Sequence, residues 1–421
     1  MLQALRVRDF RLLWTARSIA TLGTGLLDVA VPAHVYAVTG SALATGLSLA
    51  FRYLPALLLG PFAGVIADRW DRRRIMITTD LTHAMAISVV LLAKTPEAIW
   101  LIYVASIGQG TAAVIFRPAA QAHTPTVVGV GPLLTSANAL GAFTTGVVGL
   151  SAPPIGGLLF ATSGINAVIG AAIAAGLLSA TAVTRTTTRS RAHGPAHKVL
   201  ADLVQGLRHL RQATATRALL ATNSAYLLAN AALTALLIPF GVTRLGGSVQ
   251  VGYLLSALGL GFLLGAPISR RLVDHFTPRT IIALSQSLVA GAFFLMFNAA
   301  SLPVALTAAV LLGVPGVTVL VAIQTWLQRA TPKELLGRVS SAFVTVEAAA
   351  SMAGAFAGPT MSELLSLPLA LNAACAVTLL SALLTLGLMP RGHHPLAAAA
   401  PPADADHQHP SQLAQQRCFG A

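Results

Sequence analysis

Residues 60 to 74 read GPFAGVIADRWDRRR, an apolar run that gives way to Asp68 and then to arginines at 69, 72, 73 and 74. The arrangement recurs more loosely 206 positions later. Pro61 corresponds to Pro267, Asp68 to Asp274, Trp70 to Phe276 and Arg73 to Arg279. A short basic turn between two long apolar segments, present once in each half, marks a duplicated helical membrane bundle, the internal repeat on which membrane transporters are built. Any fold for this chain must place the two turns in equivalent positions.

Composition points the same way. Hydrophobic residues make up 55% of the chain and charged residues 10%, with a mean hydropathy of +0.75. A soluble domain carries about 25% charged residues, so a soluble protein is excluded. A spanning helix needs about 20 apolar residues, and the sequence predicts an all-α membrane protein of twelve such helices. The first six cover roughly 12–37, 43–67, 75–93, 98–117, 136–160 and 163–184. The second six cover roughly 218–242, 250–272, 279–299, 303–327, 338–362 and 367–389. The expected organisation is a first six-helix bundle over 1–184, a linker over 185–217, a second bundle over 218–389 and a disordered cytoplasmic tail over 390–421. The first apolar segment is too long for a cleaved signal peptide and is expected to remain as a spanning helix.

Orientation follows from the 27 Lys and Arg residues, because cytoplasmic loops retain positive charge. The odd-to-even connections hold only Lys94 and Arg244, and Arg17 and Arg52 lie within helices. The rest fall on the opposite side, which places both termini in the cytoplasm. The net charge of +14 is therefore a topology signal and an attraction to the lipid bilayer's anionic headgroups. It does not describe a nucleic-acid surface, since the arginines sit at helix ends instead of on one face.

Residues 197–212 place Val199, Leu200, Leu203, Leu207 and Leu210 at helical spacing with Lys198, Arg208 and Arg211 elsewhere, as in an amphipathic helix lying on the inner leaflet. Cys375 and Cys418 are too far apart on this map to pair. The tail histidines have irregular spacing and no accompanying cysteine or carboxylate, so no metal site is expected. None of the three lysines follows a glycine, so there is no phosphate-binding loop, and neither a zinc-protease motif nor a nucleophile elbow occurs. Without ATP or enzyme chemistry, a secondary transporter remains, one with no cofactor and a proton gradient as its energy source.

The motifs carry a resemblance to the major facilitator superfamily over Phe10 to about Met389. Gly64, Asp68, Arg69, Arg72 and Arg73 match that superfamily's loop between its second and third helices. The resemblance implies a latch that holds the two bundles in the outward-facing state. Gly64 would allow close helix approach and Asp68 would accept from a helix N-terminus. Asp80 and Arg117 fall toward the same cytoplasmic side and are expected to join this network. SAPPIGG at 151–157 is similar to the antiporter motif of the fifth helix through Pro153, Gly156 and Gly157, with Ala152 in place of the first glycine. Gly108-Gln109-Gly110 is similar to part of a proton-coupling motif, but Ser106 stands where the arginine belongs.

The segments 16–32, 155–164 and 331–339 resemble the branch that holds enterobactin and macrolide exporters. That resemblance implies export of a siderophore or amphipathic drug from a bacterial inner membrane by a monomer. Nutrient uptake is the alternative, against which the fifth-helix motif argues.

Charges within spans are costly and mark pathways or pairs. Asp28 and Arg52 each lie 12 residues from position 40, the apex of their hairpin, and so share a depth near the midplane. They are expected to form an ion pair, one that either faces the cavity and meets an anionic cargo or only orients two helices. Glu347 has no basic residue at its depth in the same bundle. It is a candidate for proton exchange, or else a hydrogen-bonded contact to a neighbouring helix. His34 and His83 either shuttle protons or are fixed by hydrogen bonds. Gln109, Asn138, Asn223, Asn230 and Gln324 are the neutral polar residues expected to line the path of a small-molecule substrate.

Overall fold

A computed structural model describes residues 2–129, 131–188, 204–205, 208, 211–331 and 335–390. The helices of the first half are α1 (Arg8–Thr39), α2 (Ala42–Arg69), α3 (Arg72–Ser88) and α4 (Trp100–Val128), followed by the span Pro132–Thr184. That span is broken at Gly164, whose φ of 75° is left-handed, into α5 (132–163) and α6 (165–184). The second half holds α7 (Thr214–Phe240), α8 (Ser248–His275), α9 (Pro278–Phe297), α10 (Leu302–Ala330), α11 (Leu336–Leu364) and α12 (Leu367–Leu388). Twelve helices are thus found among the described residues.

The internal repeat is visible in how the helices begin and end. Asp71 caps α3, accepting from the Arg73 amide at 2.9 Å, and Thr277, 206 positions on, caps α9 by accepting from the Thr280 amide at 3.3 Å. The Trp70 amide closes α2 on the Ile66 carbonyl at 3.2 Å, and Phe276 closes α8 on Leu272 at 3.0 Å, again 206 apart. The repeated sequence positions therefore occupy equivalent structural ones.

The expected spans match closely, with one boundary moved. α4 continues eleven residues past Arg117, through Pro118 and Pro125, to Val128. Proline stops a helix in water, but within a membrane bundle the neighbouring helices and side chains satisfy the freed carbonyls. Of the expected linker helix, Val204, Gln205, Arg208, Arg211 and Gln212 are helical and exposed, and Gln205 accepts from Arg338 at the start of α11. The rest of that expectation, and the tail beyond residue 390, lie outside the described residues.

Each half has its own apolar core. Val168, Ile169, Ile102 and Ile87 are fully buried in the first; Leu233, Leu236, Phe343 and Ile282 in the second. Small residues bring helices together elsewhere, since lipid supplies no hydrophobic drive between helices and association depends on close packing. A Cβ on Gly354 of α11 would sit on the Leu228 carbonyl of α7, and one on Gly156 of α5 on the Leu26 carbonyl of α1.

The halves meet along α5 with α8 and α2 with α11. At the outer end Gly157 faces the Ser248 carbonyl, which a Cβ would approach to 3.0 Å. Further in, Gly252 lies against the Pro153 carbonyl, Ser256 Oγ donates to the Leu150 carbonyl at 2.7 Å, and Gly146 packs on Leu263. On the other seam Gly46 meets Ala355 and Pro359, and Glu363 Oε1 accepts from Ser41 Oγ and from the Leu43 amide, the latter at 3.0 Å. The extracellular ends of the halves are thus joined.

Candidate functional site: charged pairs within the helices

Asp28 and Arg52 form the expected ion pair. Arg52 Nη1 lies 2.7 Å from Asp28 Oδ1, joining α1 to α2, and the side chains of Arg52 and Asp28 are 40% and 45% exposed. The α2 backbone at Arg52 is held by α4, where a Cβ on Gly110 would strike the Arg52 carbonyl. Tyr53 and His83 both lie within electrostatic reach of the pair. His34, by contrast, is buried, with Nε2 2.8 Å from the Ala93 carbonyl.

Glu347 of α11 accepts from Asn223 Nδ2 of α7 at 2.6 Å. Arg117 of α4, in the other half, is exposed and within electrostatic reach of it. Both residues lie eleven positions from the cytoplasmic ends of their helices. Arg117, expected in the cytoplasmic latch, thus lies at a helical depth matching that of Glu347.

At the cytoplasmic turn, Arg72 Nη1 donates to the Ala122 carbonyl of α4 at 3.0 Å, and Arg73 Nε to the Val183 carbonyl of α6 at 3.2 Å. Arg73 also donates to Thr184. Arg69 is exposed, and the surroundings of Gly64 and the side chain of Asp68 lie outside what the structure describes. Asp80 sits two turns further along α3, buried, with Ser179 Oγ of α6 donating to it at 2.6 Å. Its observed hydrogen bond thus ties α3 to α6. In the second half Asp274 pairs with Arg329 of α10 at 3.1 Å.

The neutral polar residues divide. Gln109 is buried on α4 and Gln324 is exposed on α10. Asn230 lines a cavity of about 120 Å³ with Tyr226, Leu233, Phe293 and Met296. Asn138 lines a cavity of about 470 Å³ between α1, α4 and α5, together with Trp14, Arg17 and Gln121. Spacing alone leaves Arg17 and Gln121 without a role; the signal for Arg17 is an arginine inside a span with no acidic residue placed to meet it.

Comparison with known proteins bears on the family and the fold. The description "Transmembrane secretion effector" belongs to the family, MFS_3, whose pattern matches residues 1–414. The enterobactin exporter EntS of Escherichia coli O1:K1 is 29% identical over 340 residues, covering 79% of this chain and 80% of EntS. EntS of Shigella flexneri is 29% identical over 339 residues, covering 79% of each chain. Among solved structures, the nucleoside transporter NupG superposes with a TM-score of 0.71 at 10% identity, covering 90% of this chain and 99% of NupG. A POT family transporter superposes with a TM-score of 0.71 at 12% identity, covering 91% and 96%. At such identities the structural likeness bears on fold alone. Two six-helix bundles with equivalent basic turns, and a family match over almost the whole length, make this chain a member of the transmembrane secretion effector family of the major facilitator superfamily, a multi-pass membrane transporter and not an enzyme.

Proposed function

We propose that the chain is a secondary active exporter that moves a small amphipathic compound, a siderophore of the enterobactin kind foremost, out of the cytoplasm by alternating access and proton antiport. The observation that carries the cargo class is similarity to EntS over about four-fifths of both chains. It works as a monomer in a bacterial inner membrane and needs no cofactor.

The geometry supports the mechanism in four places. The joined outer ends of α5 with α8 and α2 with α11 fit a cytoplasm-facing state, from which rocking of the bundles exposes the centre to the outside. The accessible Asp28–Arg52 pair lies on the cargo's route, with the guanidinium offered to an anionic group. Glu347 carries the exchanged proton: ionised, it attracts Arg117 across the bundles, and neutral, it keeps only Asn223. Pro153, Gly156 and Gly157 form the smooth face on which α5 slides against α1 and α8.

A second reading, broad efflux of drugs including macrolides, draws on the aromatic and aliphatic walls of the 120 Å³ cavity in the second half. Inside-out vesicles holding the purified chain, given an imposed proton gradient and a panel of catecholate siderophores, macrolides and cationic dyes, separate the two. Selective, uncoupler-sensitive uptake of a siderophore supports the first reading, and uptake of several dissimilar drugs the second. No uptake of any panel member overturns both.

A further inference from the structure

The cavity between α1, α4 and α5 is unlike the charged pairs described above. Its described lining contains one charged side chain, Arg17, and no carboxylate. Arg17 lies nine residues into α1, roughly 14 Å along the helix at about 1.5 Å per residue. It is exposed to the cavity and has no ion-pair or hydrogen-bond partner among the described residues. An arginine kept unpaired at this depth is costly unless something else meets it.

The rest of the lining sharpens the chemistry. The hydroxyls of Ser18, Thr21, Thr124, Thr144 and Thr145 all donate to carbonyls of their own helices, at 2.7 to 3.0 Å, so they offer no free proton. The indole of Trp14 is likewise engaged, donating to Thr144 Oγ1 at 2.9 Å and leaving its faces as an apolar wall beside Phe10. The free donors are therefore the Arg17 guanidinium and the amides of Gln121 and Asn138, both exposed and unpartnered among the described residues. Three convergent donors, one of them cationic, next to two aromatic rings select an acceptor-rich aromatic anion. A volume of about 470 Å³ admits one of drug size.

We infer that this cavity is an entry site on the cytoplasmic side for aromatic organic anions, in which Arg17 binds the anionic group and Gln121 and Asn138 its remaining acceptors. The site deepens the export reading by giving the cargo a charge class and a first contact separate from the Asp28–Arg52 pair.

The test is equilibrium binding to the full chain in nanodiscs of zwitterionic lipid, with 2-naphthoate as probe and 2-naphthamide as its uncharged isostere. The expected result is at least tenfold tighter binding of naphthoate, a preference that Arg17→Gln removes and Arg17→Lys partly keeps, with naphthamide affinity unchanged in both variants. Lys94→Gln, in an extracellular connection, leaves the preference intact. No saturable binding of naphthoate, or a preference that survives Arg17→Gln, overturns the site. Abolition of naphthoate binding when phosphatidylglycerol replaces the zwitterionic lipid assigns the arginine to a lipid headgroup and also overturns it. Vesicle transport of the siderophore and drug panel is read separately. A chain that exports but lacks the naphthoate preference keeps the export reading alone, and one that shows the preference but exports nothing keeps the site alone.

Discussion

Arg73 and Arg279, 206 positions apart, do the same work in the two halves: each is the second residue of the third helix of its bundle and donates to last-turn carbonyls of the bundle's final helix. Arg73 reaches Val183 and Thr184 of α6, and Arg279 reaches Leu386 of α12. A helix C-terminus leaves its last carbonyls unpaired and carries partial negative charge, so a guanidinium there satisfies both needs. Alanine at either position is expected to cost about 1–2 kcal/mol. The two costs should add, because the sites belong to different bundles and share no partner. Thermal unfolding of the single and double variants in detergent checks this; a double variant no worse than the singles would mean the two caps are not independent.

The Asp28–Arg52 pair is expected to matter for cargo more than for folding. Asp28→Asn and Arg52→Gln should each lower export at least tenfold. Combining them removes the uncompensated charge that each single change leaves, so membrane yield should recover while export stays low. Export restored in the double variant would reduce the pair to a structural bridge.

Glu347→Gln keeps the hydrogen bond from Asn223 within reach but removes the charge that draws Arg117. Downhill movement of cargo is expected to continue, while accumulation against a gradient and its dependence on pH are lost. Counterflow and gradient-driven uptake, measured side by side in proteoliposomes at several pH values, distinguish these. Gradient-driven uptake with an unchanged pH profile removes the proton assignment.

Substitution of close-packed glycines should sort by what a Cβ would meet. Gly156→Ala and Gly354→Ala drive a methyl onto the backbone of a neighbouring helix, at about 1–3 kcal/mol each. Gly170→Ala and Gly291→Ala point into open space and are expected to be silent. Expression and unfolding midpoints of the four variants provide the comparison.

A short bifunctional reagent joining cysteines placed at 41 and 363, in a chain freed of Cys375 and Cys418, should hold the outer ends together. Transport is then expected to stop, while a cysteine at 141, which faces open space, stays reactive to reagents on the cytoplasmic side. Full transport after complete cross-linking would show that the outer seam need not open.

Much of the architecture was legible in the sequence because a bilayer reduces the problem to one dimension. Hydropathy set the spans, arginine placement set the orientation, and the 206-residue offset announced the repeat that the caps Asp71 and Thr277 bear out. Depth counting from position 40 was enough to pair Asp28 with Arg52, since a tight hairpin leaves little freedom between its arms. The same counting misplaced the end of the fourth helix at Arg117, where a proline that would end a soluble helix is carried through.

Which way each helix faces is settled by packing in three dimensions. Counting gives depth, but these helices carry small and apolar residues all round, so their rotation is set by close contacts such as Gly156 on Leu26 and Gly354 on Leu228. That rotation turns Asp80 to Ser179, brings Asn223 onto Glu347, and leaves Arg17 beside Gln121 and Asn138 with no partner among the described residues. Depth, order and sidedness are legible residue by residue, because transfer of each residue between water and lipid is a property of that residue. Partners were decided in three dimensions, because a hydrogen bond or ion pair forms only where packing turns two side chains toward each other within about 3 Å.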